Sequence, residues 1–364
     1  MNMYIYGIIL VASFFVSYFS VPFTIKIANK YNIIDNPKKD DRKIHSKPIP
    51  RAGGMAIVMS MAISLLIYFV LTIFFDSLKI DMRFVGYIIG AMIISVMGFL
   101  DDFKGLTTLE KLLFQVVAAS VIYLFGISII GVKIPIIYNN IIDFGIFAYP
   151  ITLLWILGIT NAVNLIDGLD GLAAGITTIS TISLLAIFLI TGAPLQVIVM
   201  AMALVGASLG FLPYNLNPAR TFMGDVGSNF LGFTLSVISI MGMAKGYTVL
   251  AIVAPIIILG IPVIDMVFAV LQKVLKKQKI TTLNRDNIHY KLLNLGMSQK
   301  QSVLTLYAIT SILGVIAVAL VSNIKWHIIL LVIILVNIAG IYFVIKYKNK
   351  KEDKKLELNN KSQV

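Results

Sequence analysis

Carboxylates are scarce in this sequence, and the few it has fall mainly in short polar segments between apolar runs. The chain has 364 residues but only 17 Asp and Glu residues. The segment Gly98–Leu106 contains an adjacent pair, Asp101 and Asp102. Two like charges this close repel each other, and a bound divalent cation is the usual way to stabilise both carboxylates in their ionised form. An Asp pair that simply ends a helix in water is the alternative, and the pair alone does not decide between them.

A second segment, Asn161–Leu172, carries oxygen-bearing side chains at a spacing of three residues. They are Asn161, Asn164, Asp167 and Asp170. On a helix this spacing forms one polar stripe, and oxygen ligands suit a hard cation. The alternative is a purely structural turn at the membrane interface, rich in Asn, Asp and Gly. The apolar residues in which the stripe is embedded favour a functional site.

A third segment, Thr221–Asn229, places Asp225 among glycines just before an apolar run. A Gly-rich loop at a helix start suits phosphates, because the free backbone N–H groups of the first turn point at the anion. Glycine is also common in transmembrane helices for packing, so the pattern alone is weak evidence.

Two basic loops and one acid within an apolar run complete the candidates. The loop from Asp35 to Gly54 contains His45 and Arg51, and a later loop contains Arg285 and His289. These side chains are candidate contacts for an anionic substrate, although most of the neighbouring lysines need no special role and a lone loop histidine usually has none. Asp265 lies inside an apolar run, where an ionisable group predicts function by default.

The elements that position these residues are predicted to be membrane-spanning helices. The sequence is 59% hydrophobic and 13% charged, with a mean hydropathy of +0.93, so lipid must be its solvent. No cysteine is present, which excludes disulfides and thiolate metal sites. Apolar runs predict eleven spans, near 4–25, 53–75, 84–100, 111–130, 148–160, 172–191, 196–212, 226–243, 247–272, 303–322 and 326–345.

The distribution of basic residues predicts the orientation of these spans. With the N-terminus outside, only Lys79, Arg83, Lys133, Lys245 and Lys325 fall on the outer side. The remaining cations, including Lys104 and Lys111 between the third and fourth spans, then face the cytoplasm, as the positive-inside rule requires. This bias accounts for the net charge of +13, so no nucleic-acid partner is needed. Residues 1–345 are predicted to form one transmembrane catalytic domain, and residues 346–364 a basic cytoplasmic tail that favours anionic lipid.

The three acidic segments, in this order, resemble the motifs of the polyprenyl-phosphate N-acetylhexosamine-1-phosphate transferase family, glycosyltransferase family 4. The likeness extends from the His45 loop to the His289 loop. It implies an all-α polytopic bundle of 10–11 transmembrane helices with cytoplasmic active-site loops, in the bacterial cytoplasmic membrane. It also implies Mg²⁺ as cofactor, with Mn²⁺ as a substitute, a UDP-sugar and undecaprenyl phosphate as substrates, and a homodimer as a possible assembly.

The resemblance also implies roles for individual residues. Asn164 and Asp225 match positions that hold Mg²⁺, and Phe222 matches an aromatic residue that stacks on uracil. The paired aspartates and two further acids match catalytic carboxylates: Asp101, Asp102, Asp167 and Asp170. The basic-loop residues match substrate-binding positions: His45, Arg51, Arg285 and His289.

One loop departs from the family pattern. Where the family usually has a histidine cluster, this sequence has Asn287, His289 and Tyr290, so only one imidazole remains. This departure argues against the muramoyl-pentapeptide branch, which stays as an alternative. The short early loop that opens Lys43-Ile-His45 resembles the branch that uses UDP-N-acetylglucosamine. A secondary transporter is a more distant alternative, because transporters place their charges near the midplane and show internal repeats, whereas these acids lie at the inner ends of spans.

Overall fold

The computed structural model describes residues 2–37, 47–74, 81–134, 138–243, 249–275 and 287–322. Within these ranges the chain forms twelve α-helices. In chain order they are α1 (Asn2–Lys30), α2 (Gly54–Phe74), α3 (Met82–Lys104), α4 (Thr108–Leu124), α5 (Ala148–Ile166), α6 (Leu172–Thr191), α7 (Leu195–Asn215), α8 (Gly224–Met243), α9 (Val249–Ile258), α10 (Gly260–Leu275), α11 (Ile288–Asn294) and α12 (Gln299–Val321).

Two small antiparallel hairpins accompany the helices. Strand β1 (Ile34–Asp35) pairs with β2 (Ile49–Pro50), and β3 (Gly131–Ile134) pairs with β4 (Tyr138–Asp143). The sequence analysis did not predict these strands, because two to six residues are too few to show a period of two. Their presence does not change the fold class, since all the long elements are helical.

Seven of the described helices are long and apolar enough to cross a membrane: α1, α2, α3, α5, α6, α7 and α12. The chain is therefore a polytopic all-α membrane protein, as predicted. Helices α4, α8, α9 and α10 coincide with three further predicted spans, and the ninth predicted span is divided at Leu259 into α9 and α10. The predicted span at 326–345 and the basic tail at 346–364 lie outside the described residues.

Helix α8 lies at the centre of the bundle. Its residues are buried along almost the whole described length, and it contacts α2, α3, α5, α6 and α7. Helix α1 lies at the periphery and exposes a stripe of aromatic side chains, Phe15, Phe19 and Phe23, which is the surface expected to face lipid. The acidic segment Thr221–Asn229 thus leads into a buried central helix rather than a peripheral one.

Small residues let α1 and α7 approach closely. Gly206 and Gly210 of α7 face the α1 backbone, and a Cβ atom at either position would clash with a main-chain carbonyl of α1. Ser13 and Ser17 of α1 donate to carbonyl oxygens of α7 at 2.6 and 2.7 Å. Close backbone contact and interhelical hydrogen bonds stabilise helix pairs in lipid, where apolar burial supplies little driving force between helices.

Alternation of the spans brings five chain segments to one end of the bundle. The C-termini of α3 and α5 meet the N-termini of α2, α4 and α8 there. Each of these termini carries a polar residue named below, so the topology places the three acidic segments together.

Candidate active site

The first turn of α8 is capped by a carboxylate from another helix. The backbone N–H groups of Asp225 and Val226 donate to the two oxygens of Asp102 at 2.9 and 3.0 Å. Gly224, which opens α8, has a φ of 72° and lies so close to Asp102 that a side chain there would meet the carboxylate. The anion at this helix N-terminus is therefore Asp102 of α3, which holds α8 in place.

Asp225 is the centre of the cluster. Arg51 forms ion pairs with Asp225 and with Asp102, the latter at 3.2 Å. Lys111 Nζ lies 3.6 Å from the other oxygen of Asp225. Asn164 donates to that same oxygen at 2.8 Å, so the two residues matched to metal positions are in direct contact.

Asp101 and Asp102 are neighbours with different partners. Asp101 forms an ion pair with Lys111 and accepts the N–H of Leu106 at 2.7 Å, just after α3 ends. Its side chain is only 6% exposed, and that of Asp102 is 4% exposed. Asp101 therefore orients Lys111 and the α3–α4 connection, whereas Asp102 orients Arg51 and α8.

A short backbone ladder sets Arg51 beside this cluster. The N–H groups of Phe222 and Gly53 bond to Pro50 O and Phe222 O at 2.8 and 2.9 Å. Gly54 follows, and a Cβ atom there would clash with the backbone of Gly227 in α8. The glycine pair at the start of α2 thus allows contact with α8 that larger residues would prevent.

Neighbouring carboxylates favour the protonated, positively charged form of Arg51. Burial acts to lower the pKa of Arg51, but the negative charges of Asp225 and Asp102 outweigh it and raise the pKa above its ordinary value. The Arg51 side chain as a whole is 41% exposed, while its guanidinium contacts the carboxylates of Asp102 and Asp225. A fixed cation at the mouth of an acidic site can also contact a phosphate.

Three amide side chains lie beneath the carboxylates. Gln115 of α4 exchanges hydrogen bonds with Asn161 of α5 and donates to Asn229 of α8 at 3.2 Å. Asn229 donates to the main-chain oxygen of Asp225 at 2.9 Å. Asn161 precedes Asn164 by about one helical turn, so this network fixes the register of the helices that carry Asn164 and Asp225.

Asp167 and Asp170 occupy different places in the connection between α5 and α6. Asp170 accepts hydrogen bonds from Asn217 Nδ2 and Ala219 N at 2.9 and 3.1 Å, so it fastens the α7–α8 connection. Asp167 is partly buried near the cluster. Burial raises the pKa of Asp167 to about 7; the charge of Arg51 opposes this effect and that of Asp225 adds to it.

The described part of the last loop holds α11 against the same connection. Asn287 donates to Leu165 O at 3.1 Å, at the C-terminal end of α5. His289 is 1% exposed, and its ring faces Gly168 so closely that a Cβ atom on that glycine would clash with Nε2. Burial lowers the pKa of His289 to about 4, so the imidazole is neutral at neutral pH.

The remaining predicted residues are at the edge of the site or beyond the described chain. Phe222 is half-buried in the segment that precedes α8, next to Arg51. His45 and Arg285 lie outside the described residues.

Sequence reasoning missed several residues of the cluster. Lys111 was counted only as one of the inner cations, but it bridges Asp101 and Asp225. Ser228 accepts a hydrogen bond from Asn164 at 2.8 Å, and Gln115 and Asn229 support the cluster from below. For Gln115, Ser228 and Asn229 the available signal was the rarity of polar side chains inside apolar helices. Lys111 carries no such signal, because a cation at the inner end of a span already satisfies the charge rule.

The oxygen-rich donor set is of the kind that binds Mg²⁺. In the described part of the chain, no three Asp, Glu or His side chains converge closely enough to hold a metal by themselves. Mg²⁺ is commonly bound by one or two carboxylates together with substrate phosphates and water, and not by a complete protein cage. Asp225 and Asn164, in contact at one end of the bundle, fit that mode.

Known proteins share these features. The family model described as Glycosyl transferase family 4 matches residues 84–243, which include the three acidic segments. A relative from Bacillus subtilis (strain 168), named as a probable undecaprenyl-phosphate N-acetylglucosaminyl 1-phosphate transferase, is 38% identical over 331 residues, covering 90% of this chain and 89% of the relative.

Two further relatives carry another name, phospho-N-acetylmuramoyl-pentapeptide-transferase. The protein from Halalkalibacterium halodurans is 31% identical over 85% of this chain and 96% of its own length. The protein from Streptococcus pyogenes serotype M12 (strain MGAS2096) is 32% identical over 66% of this chain and 74% of its own. Motifs, fold and near full-length similarity agree, and the chain belongs to glycosyl transferase family 4.

Proposed function

We propose that this protein transfers N-acetylglucosamine 1-phosphate from UDP-N-acetylglucosamine to undecaprenyl phosphate. The products are undecaprenyl-pyrophosphoryl-N-acetylglucosamine and UMP, as in the first membrane step of a teichoic acid or O-antigen type polysaccharide. The observation that carries the proposal is the convergence of Asp101, Asp102, Asn164 and Asp225 with Arg51 and Lys111 at one end of the bundle. The name of the Bacillus subtilis relative supports the choice of sugar and lipid.

The reaction is a displacement at phosphorus. An oxygen of the lipid phosphate attacks the phosphorus next to the sugar, the bond from that phosphorus to the bridging oxygen breaks, and UMP leaves with the bond electrons. The bond between sugar and oxygen stays intact. Because a phosphate monoester has a second pKa of about 6, the acceptor is mostly dianionic at neutral pH and gains little from a general base. The demand on the protein is positioning and charge neutralisation.

The described residues meet that demand in complementary ways. Arg51 and Lys111 are the cations that would contact phosphate oxygens, and each already lies between two carboxylates. Asp102 and Asp101 hold these cations and the α8 N-terminus in place, so they act by position. Phe222 at the edge of the site is available to stack on the uracil base.

Asn164 and Asp225 are the residues that would hold Mg²⁺. Asp101, Asp102 and Asp225 form ion pairs with Arg51 and Lys111, and Asp167 lies within electrostatic range of Arg51. In their ionised forms these four carboxylates leave two negative charges that the two cations do not compensate. One divalent cation carries the opposite charge. When bound, Mg²⁺ would neutralise charge on the pyrophosphate and stabilise the transition state as a Lewis acid.

The location of the site suits a lipid acceptor. The predicted orientation puts this end of the bundle in the cytoplasm of a bacterium, where nucleotide-sugars are made, and the prenyl chain would remain in the membrane. The broken α9–α10 span is our candidate for a wall of the groove that takes the lipid chain.

UMP release tests the proposal. Purified full-length protein is incubated with Mg²⁺, a short-chain prenyl phosphate and a panel of UDP-sugars that includes the muramoyl-pentapeptide nucleotide. We expect release with UDP-N-acetylglucosamine, loss of release in Asp225→Asn, and retention in Asp143→Asn, whose carboxylate is exposed away from the cluster. Release only with the muramoyl nucleotide would select the alternative branch, and no release with any sugar would refute the transferase.

A further inference from the structure

Asp265 is a buried acid that the proposed reaction does not use. It lies on α10 and is 2% exposed. One of its oxygens accepts the N–H of Ile288 at 2.7 Å, where α11 begins. The helix has no side-chain cap of its own at Asn287, so Asp265 supplies from another helix the acceptor that a helix N-terminus requires.

The second oxygen of Asp265 faces the imidazole of His289. Oδ2 of Asp265 and Nδ1 of His289 are 4.0 Å apart, about 1 Å beyond a hydrogen bond. Neither atom has another hydrogen-bond partner among the described residues, and His289 Nε2 has none either. Leaving such groups unpaired in a buried place costs about 1 to 3 kcal/mol each, so a small closing shift of α11 is favourable.

The imidazole has no room for a ligand in this arrangement. Both ring nitrogens are buried, and Nε2 is directed at Gly168, the residue after Asp167. A pyrophosphate oxygen cannot reach Nε2 without displacement of that turn. His289 is instead placed to support the turn that contains Asp167 and Gly168, because its imidazole packs against Gly168.

We propose that Asp265 and His289 form a buried pair that positions the Asp167–Gly168 turn of the active site, with the His289 Nδ1–H donated to Asp265 and no direct contact between His289 and the nucleotide-sugar. This inference rests on the proposed function, since the turn matters only if it serves that reaction. It replaces the pyrophosphate contact expected for His289. It assigns Asp265 as a positioning residue, because Asp265 acts through α11 and His289.

The tautomer of His289 is a consequence that can be observed without turnover. With Nδ1–H on Asp265, the Nε2 atom carries the lone pair. In Asp265→Asn, the amide oxygen can still accept the Ile288 N–H, but the amide nitrogen then faces Nδ1 as a donor. The variant thus keeps the helix cap and reverses the tautomer, as Asp-to-Asn changes beside a catalytic histidine do elsewhere.

The experiment combines ¹⁵N-histidine NMR with a double-mutant cycle on the full-length protein. The chain has three histidines, so His289 is assigned by difference against His289→Ala. We expect the Nδ1–H tautomer in the wild type, the same tautomer after addition of UDP-N-acetylglucosamine, and the Nε2–H tautomer in Asp265→Asn. A shift of the His289 resonances to a protonated or ligand-bonded state on adding the nucleotide-sugar would overturn the proposal.

The kinetic cycle compares Asp265→Asn, His289→Ala and the double variant by UMP release. We expect each single variant to lower kcat by about 10- to 100-fold with little change in KM for the nucleotide-sugar, and the double variant to be no slower than the slower single one. The proposal would be overturned if the losses of kcat in the two single variants multiplied in the double variant, or if KM rose while kcat was retained. Asp81→Asn, which alters a cap at the far end of α3, is the matched control and should stay active.

The two hypotheses fail in different ways. A wild-type protein without UMP release refutes the proposed function, while the tautomer still reports on the buried pair. An active wild type whose Asp265→Asn variant keeps full kcat refutes the pair alone. If Asp265→Asn does not fold, the wild-type tautomer, measured with and without nucleotide-sugar, decides the proposal.

Discussion

Removal of the Asp102 carboxylate should loosen the first turn of α8 without unfolding the rest of the bundle. In Asp102→Ala the N–H groups of Asp225 and Val226 lose their acceptors, which lie at 2.9 and 3.0 Å in a side chain that is 4% exposed. The first N–H groups of a helix have no partner within the helix, so at this buried end they depend on the Asp102 carboxylate.

The expected magnitude follows from the two bonds. Hydrogen bonds to a charged group contribute about 1.5 to 3 kcal/mol each, so their loss costs about 3 kcal/mol at the lower bound. The ion pair with Arg51 is given no separate contribution, because the Arg51 side chain is 41% exposed and water screens the interaction. A local change of about 3 kcal/mol corresponds to roughly a hundredfold rise in the opening equilibrium of this turn.

Amide hydrogen exchange of the detergent-solubilised protein measures this opening. We expect amides at the start of α8 to exchange roughly a hundredfold faster in Asp102→Ala and roughly tenfold faster in Asp102→Asn, which keeps one acceptor. The neighbouring substitution Asp101→Ala is the matched control, since Asp101 accepts from Leu106 and pairs with Lys111. Unchanged protection of the α8 first turn in Asp102→Ala would refute the capping role.

Three further outcomes follow from the same geometry. Lys111→Met should lower kcat for UMP release by about a hundredfold, because it removes a cation held between two carboxylates, while exposed Lys104→Met should not. Gly168→Ala should lower the free energy of unfolding, followed by SDS titration, by about 1 to 3 kcal/mol through its clash with the buried imidazole, whereas Gly158→Ala, whose Cβ would reach only ordinary van der Waals contact with Met266 at 3.8 Å, should be tolerated. Folding raises the pKa of Asp167 to about 7, so wild-type stability falls as pH rises from about 4 through 7, at most about 1.4 kcal/mol per unit. The Asp167→Asn variant does not titrate at this position. The melting temperature of the variant in EDTA, relative to that of the wild type, should therefore rise between about pH 5 and 8. The same dependence of melting temperature on pH in both proteins would contradict the raised pKa of Asp167.

Much of the fold was predictable from the sequence because lipid imposes a simple rule. Every backbone polar group must be satisfied within a span, so long apolar runs become helices, and ten predicted spans have helical counterparts among the described residues. The break at Leu259 was also predictable from the Pro and Gly residues around it. The short helix α11 was not predicted, because seven residues in a polar loop show no clear period.

Several residues of the candidate site were predictable from the sequence, but their contacts were not. The Gly-rich segment pointed to Asp225 and the polar stripe to Asn164, and the structure places their side chains 2.8 Å apart. The same reasoning could not separate Asp170 from the others, since all share the spacing of three. Only the fold shows that Asp170 binds the α7–α8 connection. It could not find Lys111 either, because a cation at the inner end of a span already satisfies the charge rule.

The way each helix is capped separates the site from the rest of the bundle. Helices α4 and α12 begin on their own capping boxes, Thr107 with Glu110 and Ser298 with Gln301, and such caps can be read from sequence. The first turns of α8 and α11 are instead held by carboxylates from α3 and α10. A cap from the same segment forms whenever that segment is helical, but a cap from a distant helix forms only when the bundle is assembled. The first turns that carry Asp225 and His289 therefore gain these bonds only with tertiary packing, and substitutions in α3 or α10 should alter the site without touching a substrate.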